Sequence, residues 1–370
     1  MSRLEPLCYP YLMKYLHALN KIQGVGPQKM KMLLNFFPDT KKAWDADFDS
    51  LVVSGIGSKL AEKIIFERNS INPEEEWLVL EKENIEIVSL NDENYPRLLK
   101  EIPHPPYIIY TKGKLDQNSA PMVSVVGSRK YASYGQQVAH GFARDLAKSG
   151  IIVVSGMALG VDSFAHRGAL DAKGYTVAVL GNSLDDESIY PRNNFNLSRE
   201  ILNNGALISE YPPVMQAGKL TFPARNRIIA GMSIGTIVVE AGEKSGALLT
   251  AQMALDYGRE VFSVPGSIFS PQSAGTNELI KKGARLVTSV NDILEELEIF
   301  ITKKNKPPVS KNTDTKEEKI ILEALTHEPL HIDNIRKISK LDMATVSSTL
   351  SIMEIKGWVK NIGGQNYILL

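Results

Sequence analysis

From Met122 onwards the chain alternates short, unbroken apolar runs with longer stretches of helical period. The runs are MVSVVG, IIVVSG, YTVAVL, ALISEY, IGTIVVEAG, EVFSVPG and RLVTS. Continuous apolar runs of that length predict strands covered on both faces, and helical connections between them predict a doubly wound parallel sheet. In such a sheet ligands sit beyond the carboxyl ends of the strands, so the residues that follow each run carry the most weight. Just upstream, IEIVSL and PPYIIYTKG read as two further strands flanking a small helix, an extension of the same domain.

The chain's two ends follow other patterns. NKIQGVGPQKMKMLLNFF and LVVSGIGSKLAEKIIFER each place a G-V-G or G-I-G turn before an amphipathic helix. Apolar residues recur at helical spacing in both: Met30, Leu33, Leu34 and Phe37, then Leu60, Ile64 and Ile65. The unit is similar to a tandem helix-hairpin-helix, or SAM-like, domain over residues 1–72, able to act on DNA or as a protein-docking module. At the other end, TKKNKPPVSKNTDTKEEK has no apolar period and reads as a linker, placed at 300–318. Residues 319–370 then show three amphipathic helices and two short strands around Gly363-Gly364, the outline of a winged helix. Its recognition-helix position, MATVSSTLSIMEIKG, offers Ser and Thr where a DNA reader would offer Arg, which favours protein contact.

Composition narrows the partners. The 370 residues are 43% hydrophobic and 23% charged, and 42 Lys plus Arg balance 42 Asp plus Glu. With no basic excess, a polyanion must be gripped locally. Residues 73–101 carry nine acids against three bases, so they are not a DNA track. No apolar run reaches the ~18 residues of a membrane span. A single cysteine and no secretory pattern point to a cytoplasmic protein without disulfides.

Candidate chemistry lies in the strand-end loops of the domain expected at 73–299. GSRKYASYG would need glycine at Arg129 to be a dinucleotide fingerprint. Instead Gly127 lets the chain leave the strand, Ser128 offers a donor and Arg129 a bidentate clamp for phosphate. SGMALGVDSFAH sets Asp162 and His166 at i,i+4; the pair is expected to be structural, Asp162 accepting from backbone amides and His166 bonded to it. Gly156 and Gly160 are expected to let the backbone approach a ligand. In EAGEKSGALL, Glu243 stands where a nucleoside-triphosphate loop needs glycine, so Lys244, Ser245 and Gly246 are expected to form an anion cup at a helix start. Glu240 orders that loop or meets a base edge, and Gly266 and Ser267 extend the rim. No His or Cys cluster completes a metal site, and no cofactor is expected. KLTFPARNRIIAG supplies Lys219, Phe222, Arg225, Asn226 and Arg227 near a helix N-terminus, where cations oppose the helix dipole and suit an anionic ligand better than they suit stability. An aromatic beside cations fits a polymer with both phosphates and exposed bases, a single strand of DNA or RNA.

Together, VVGSRKYASYG, VVSGMALGVDSFAHRGAL, LISEYPP, KLTFPARNRIIAG, VEAGEKSGALLTAQMALDYGREVFSVPGS and GTNELIKKGA resemble, in order over about 85–295, the DNA-processing protein A (DprA/Smf) family. The resemblance implies an extended Rossmann-like fold, a homodimer, single-stranded DNA in a basic pocket and RecA recombinase loading during natural transformation, without enzymatic activity. It implies a pocket built from Gly127, Ser128 and Arg129 on one side and Lys219, Phe222, Arg225, Asn226 and Arg227 on the other. It further implies a dimer contact through Leu279, Ile280 and Leu286, residues that could equally pack on the sheet.

Two other functions compete. IGTIVVEAG loosely resembles the glycine-threonine-glutamate loop of lysine-decarboxylase-like phosphoribohydrolases, which would make this a nucleotide-processing enzyme; Met232-Ser233 replaces the glycines expected before Gly235. A DNA-reading regulator acting through the winged helix lacks the arginines such a helix needs.

Overall fold

The computed structural model describes residues 9–115, 120–299, 315–325, 330–361 and 363–369. The chain divides into two compact units, Met1–Phe300 and Ile301–Leu370. Most of the segment expected as a linker, 300–314, lies outside the described residues.

The first unit opens with helices α1 (Tyr9–Lys21), α2 (Pro27–Phe36), α3 (Thr40–Asp45), α4 (Phe48–Leu51), α5 (Ser58–Glu67) and α6 (Pro73–Glu83). The apolar period predicted Met30, Leu33 and Ile64 as inward-facing, and all three are buried. Leu16, Leu19 and Ile22 of α1 share one apolar cluster with Tyr110, Ile201 and Leu207 of the sheet layer. The helical segment is thus docked on the sheet, and His17 Nδ1 lies 2.9 Å from the Tyr110 hydroxyl across that seam.

Strand β1 (Glu86–Ser89), the short helix α7 (Arg97–Lys100) and strand β2 (Ile108–Gly113) form the expected extension. There follow β3 (Met122–Val126), α8 (Ser133–Lys148), β4 (Ile152–Ser155), α9 (Val161–Asp171), β5 (Thr176–Val179), α10 (Phe195–Asn203), β6 (Gly205–Ser209), α11 (Thr221–Met232), β7 (Gly235–Val238), α12 (Gly246–Asp256), β8 (Glu260–Ser263), α13 (Ala274–Lys281), β9 (Arg285–Leu286) and α14 (Val290–Glu296). They build a nine-stranded sheet in the order β1-β2-β6-β5-β4-β3-β7-β8-β9. From β6 to β9 every pairing is parallel, while β2 joins β6, and β1 joins β2, antiparallel. The doubly wound core is therefore as predicted, with an antiparallel margin at one edge.

Strand side chains alternate between faces. Met122 and Val126 enter the layer beneath α11 and α12, whereas Val123 and Val125 enter the layer with α8, α9 and α14. Covered on both sides, the central strands must be apolar throughout, which is why they read as unbroken runs. Their exceptions are paired: Ser124 Oγ and Thr236 Oγ1 meet at 2.7 Å across β3 and β7. The strand order reverses between these two, β3 leading away to β4 and β7 to β8. Their carboxyl ends therefore frame the crevice where doubly wound sheets take ligands.

The second unit holds α15 (Lys316–Ala324), β10 (Leu330–His331), α16 (Ile332–Ser339), α17 (Met343–Ile355), β11 (Val359–Asn361) and β12 (Asn366–Leu369) around Ile321, Ile335, Val346, Leu350 and Met353. This is the predicted winged helix, with one short strand, β10, too brief to show a period. Its sheet order is β10-β12-β11.

Candidate functional site

A cleft of about 530 Å³ opens at the β3/β7 switch point. One wall is the loop after β3, Gly127, Ser128, Arg129 and Lys130; another is Gly242, Lys244, Ser245 and Gly246 leading into α12; the third is the start of α11, with Phe222, Pro223, Arg225 and Asn226. Segments far apart in sequence thus meet as the strand-end rule predicts.

The β3 loop is shaped by close approaches. Ser128 N donates to Glu240 O at 2.7 Å, tying the two strand ends together. Gly160 lies at φ +87, and a Cβ there would stand 2.5 Å from Ser128 O. Gly156 packs flat on the Arg225 guanidinium, where a Cβ would fall 2.2 Å from Nη1. Both glycines accommodate protein atoms, not the ligand expected from sequence. Ser128 is likewise engaged: Oγ donates to Lys130 O at 2.7 Å and accepts from Lys130 N at 3.0 Å, so the hydroxyl shapes the turn.

The cations divide into two groups. Arg129, Lys130 and Lys244 are exposed at the cleft, and none of the ion pairs among the described residues involves them. Arg129 lies over the Phe222 ring, Cζ 5.0 Å from its centroid. Tyr190 approaches the same ring at 5.8 Å.

Arg225 and Arg227 require correction. Arg225 is only 4% exposed; its Nη1 donates to Gly156 O at 2.6 Å and also to Val179 O. Burial draws this guanidinium down to about 10, partly offset by the Asp162 carboxylate. It stays charged at neutral pH and forms the cleft floor. Arg227 lies outside the cleft lining: Nη1 donates to His104 O at 2.7 Å, and the guanidinium pairs with Glu210. Cations in the first turns of α11 oppose its dipole, but fixed carbonyls and a carboxylate offset that cost. Lys219 is exposed just before α11 and outside the lining, whereas Asn226 is inside, its Nδ2 3.4 Å from Gly246 O.

At α12, Ser245 is the N-cap, its side chain accepting from Ala247 N. The helix start, with Lys244 before it, is an electropositive rim. Gly266 and Ser267 do not line the cleft; Gly266 N donates to Asn277 Oδ1 at 3.3 Å.

Asp162 accepts from Gly156 N at 3.1 Å and Ala158 N at 3.4 Å, as expected, and burial pushes its carboxyl up against the opposing pull of Arg225. His166 does not bond it: Nδ1 meets Thr176 Oγ1 at 2.8 Å. That hydroxyl donates to Val153 O, so Nδ1 carries the proton and donates. Glu240 is 1% exposed and accepts from Ala132 N at 3.0 Å. It orders the loop after β3 and does not face the cleft.

Sequence reasoning missed Lys130 and Tyr190. Lys130 stood in the quoted motif, beside the arginine that drew the attention. Tyr190 sits in a long loop after β5, where nothing in its neighbours links it to Phe222. Leu279 is half-buried on the core, Ile280 is half-buried, and Leu286 is 46% exposed on the edge strand β9. Among the described residues no His, Cys, Asp and Glu group is placed to hold a metal, and no helix is long and apolar enough to cross a membrane.

Comparison with known proteins places this geometry. Residues 86–298 match the family model described as DNA recombination-mediator protein A, and 305–365 match the DprA winged helix domain. The chain is 35% identical over 390 residues to the protein Smf of Synechocystis sp., covering 95% of this chain and 98% of that one. It is 44% identical over 210 residues to the DNA processing protein DprA of Streptococcus pneumoniae, covering 57% and 73%. The X-ray structure of DprA from S. pneumoniae superposes with a TM-score of 0.67 at 34% identity, covering 76% of this chain and 97% of that one. A Helicobacter pylori DNA processing protein A, whose structure is described by its single-stranded DNA binding mode, superposes at 0.52 and 33% identity, covering 58% and 95%. With a family model spanning the whole sheet and a relative matched nearly end to end, this chain belongs to the DprA/Smf family of DNA recombination-mediator proteins.

Proposed function

We propose that the cleft binds single-stranded DNA and that the protein is a cytoplasmic recombination mediator. In this reading, a homodimer protects incoming DNA during natural transformation and hands it to the RecA recombinase. The observation that carries the reading is the Arg129–Phe222 stack, 5.0 Å apart, at the mouth of a cleft bordered by Lys130 and Lys244. A guanidinium held flat on a ring keeps its edge for phosphate, and neighbouring cations add salt-dependent attraction. The names of the relatives, and the single-stranded DNA binding of the H. pylori protein, support the same substrate. The phosphoribohydrolase alternative loses ground: its glutamate would be Glu240, which is buried and spent on backbone amides.

The test is a fluorescence titration with labelled oligonucleotides of varied length and strandedness. Single strands bind more tightly with length and more weakly as salt rises. Equal or tighter binding of duplex overturns the reading, and ribose phosphate release from a nucleoside monophosphate revives the enzyme. RecA delivery is tested by whether the protein speeds RecA filament formation on protein-coated single strands.

A further inference from the structure

We infer that Tyr190 and Leu159, on the far side of the Arg129–Phe222 wall, form a seat for one unpaired base whose phosphate lies in the cleft. This inference rests on the single-strand reading above and assigns two residues that the cleft itself does not contain.

Arg129, Ala158, Phe222 and Arg225 line both the main cleft and a second depression of about 30 Å³. The second depression is completed by Gly156, Leu159, Gly181, Tyr190 and Pro191. The stacked Arg129 and Phe222 are thus a partition with a different chemistry on each side. The cleft side presents Lys130, Lys244 and the α12 start. The far side presents no lysine and no acid, only apolar and aromatic surface beside the Arg129 stem.

Phe222 itself is poorly placed to receive a base. Arg129 lies over its ring, Tyr190 sits 5.8 Å away at a tilt of 41°, and the site of a Cβ on Gly181 would be 3.0 Å from Cδ1. The phenylalanine is the spine of the partition. Tyr190 and Leu159 are 49% and 44% exposed, so each keeps free surface. The depression is far too small to enclose a base, so the base lies flat across its mouth, stacked on Tyr190 and against Leu159. A flat π-face is common to all bases, so the seat favours no sequence.

A nucleotide can straddle the partition only if its base leaves the stack and its pairing partner. Paired bases cannot do so without an opening cost of a few kcal/mol. The Tyr190 side therefore sets the preference for single strands, while the cationic side supplies attraction that a duplex shares.

The test compares wild type, Tyr190→Phe, Tyr190→Ala and Leu159→Ser on three probes: oligo(dT), an abasic oligonucleotide of equal length, and duplex. Circular dichroism and thermal midpoints show whether each variant is folded. Tyr190→Ala weakens oligo(dT) binding roughly 5- to 150-fold, the range for losing one stacked base. It leaves abasic and duplex binding within about twofold, so the preference for single strands falls. Leu159→Ser acts in the same direction, and Tyr190→Phe binds as wild type. In wild type, 2-aminopurine placed along the strand is quenched at one position, and that quenching is lost in Tyr190→Ala. Equal losses on all three probes, or none on any, overturn the seat while leaving the single-strand reading intact. Failure of the wild type itself to bind oligo(dT) overturns both.

Discussion

Two arginines of the same cleft show how burial decides a residue's task. Arg129 is exposed and leans on a ring; Arg225 is buried and bonded to two carbonyls. Arg129→Ala is expected to weaken binding of all single-stranded sequences alike and lower the salt slope by about 0.7, with stability changed by less than ~0.5 kcal/mol. Arg225→Met leaves Asp162 without its buried counter-charge and two carbonyls without a donor, and is expected to cost about 3–5 kcal/mol in urea unfolding. His166 gives a pH signature. Burial lowers it from 6.5 to about 3, so between those values the unfolded chain binds a proton that the folded chain refuses. Stability then falls as pH drops below ~6.5, by up to ~1.4 kcal/mol per unit from this group. His166→Gln removes that contribution, and the gap in urea midpoint between wild type and variant should narrow from pH 7 to pH 5.

At the scale of elements, the loops of the cleft are held by contacts to other loops, not by their own hydrogen bonds alone. Gly160 makes the case: Gly160→Ala meets both a positive φ and the Ser128 carbonyl, and is expected to destabilise by about 1–3 kcal/mol and loosen oligonucleotide binding by displacing Arg129. Stability and titration measured on one sample check both. The strands were legible because a strand covered on both faces has to be apolar, and their carboxyl ends located the cleft. Phe222, Lys244 and Arg129 were found that way. The assignment of Arg225 and Arg227 failed because a sequence shows that cations are near a helix start without showing which carbonyls reach them. His166 failed similarly: its partner Thr176 lies on the next strand, and the i,i+4 rule looks only along the helix. Tyr190 was out of reach because its link to Phe222 exists only after β5 and β6 have paired.

Over the whole molecule, the balanced charge of the chain and the cationic cleft are compatible because acids are tied up elsewhere: Glu210 by Arg227, Asp162 under the floor, Glu240 behind the β3 loop. Leu286, exposed on the edge strand β9, is the side chain on which the proposed homodimer is most open to test. Leu286→Lys should halve the mass seen by sedimentation at micromolar concentration without changing the thermal midpoint of the sheet. An unchanged mass removes Leu286 from the interface. The cleft also joins strands whose paired residues Ser124 and Thr236 are 112 positions apart in the chain. Its shape has no local precursor, so a half-made or nicked sheet has no grip on nucleic acid at all. Occupancy then works as a clasp on the finished fold: a saturating oligonucleotide at a hundred times its Kd should add about 2.7 kcal/mol against unfolding, so cargo and carrier shield each other.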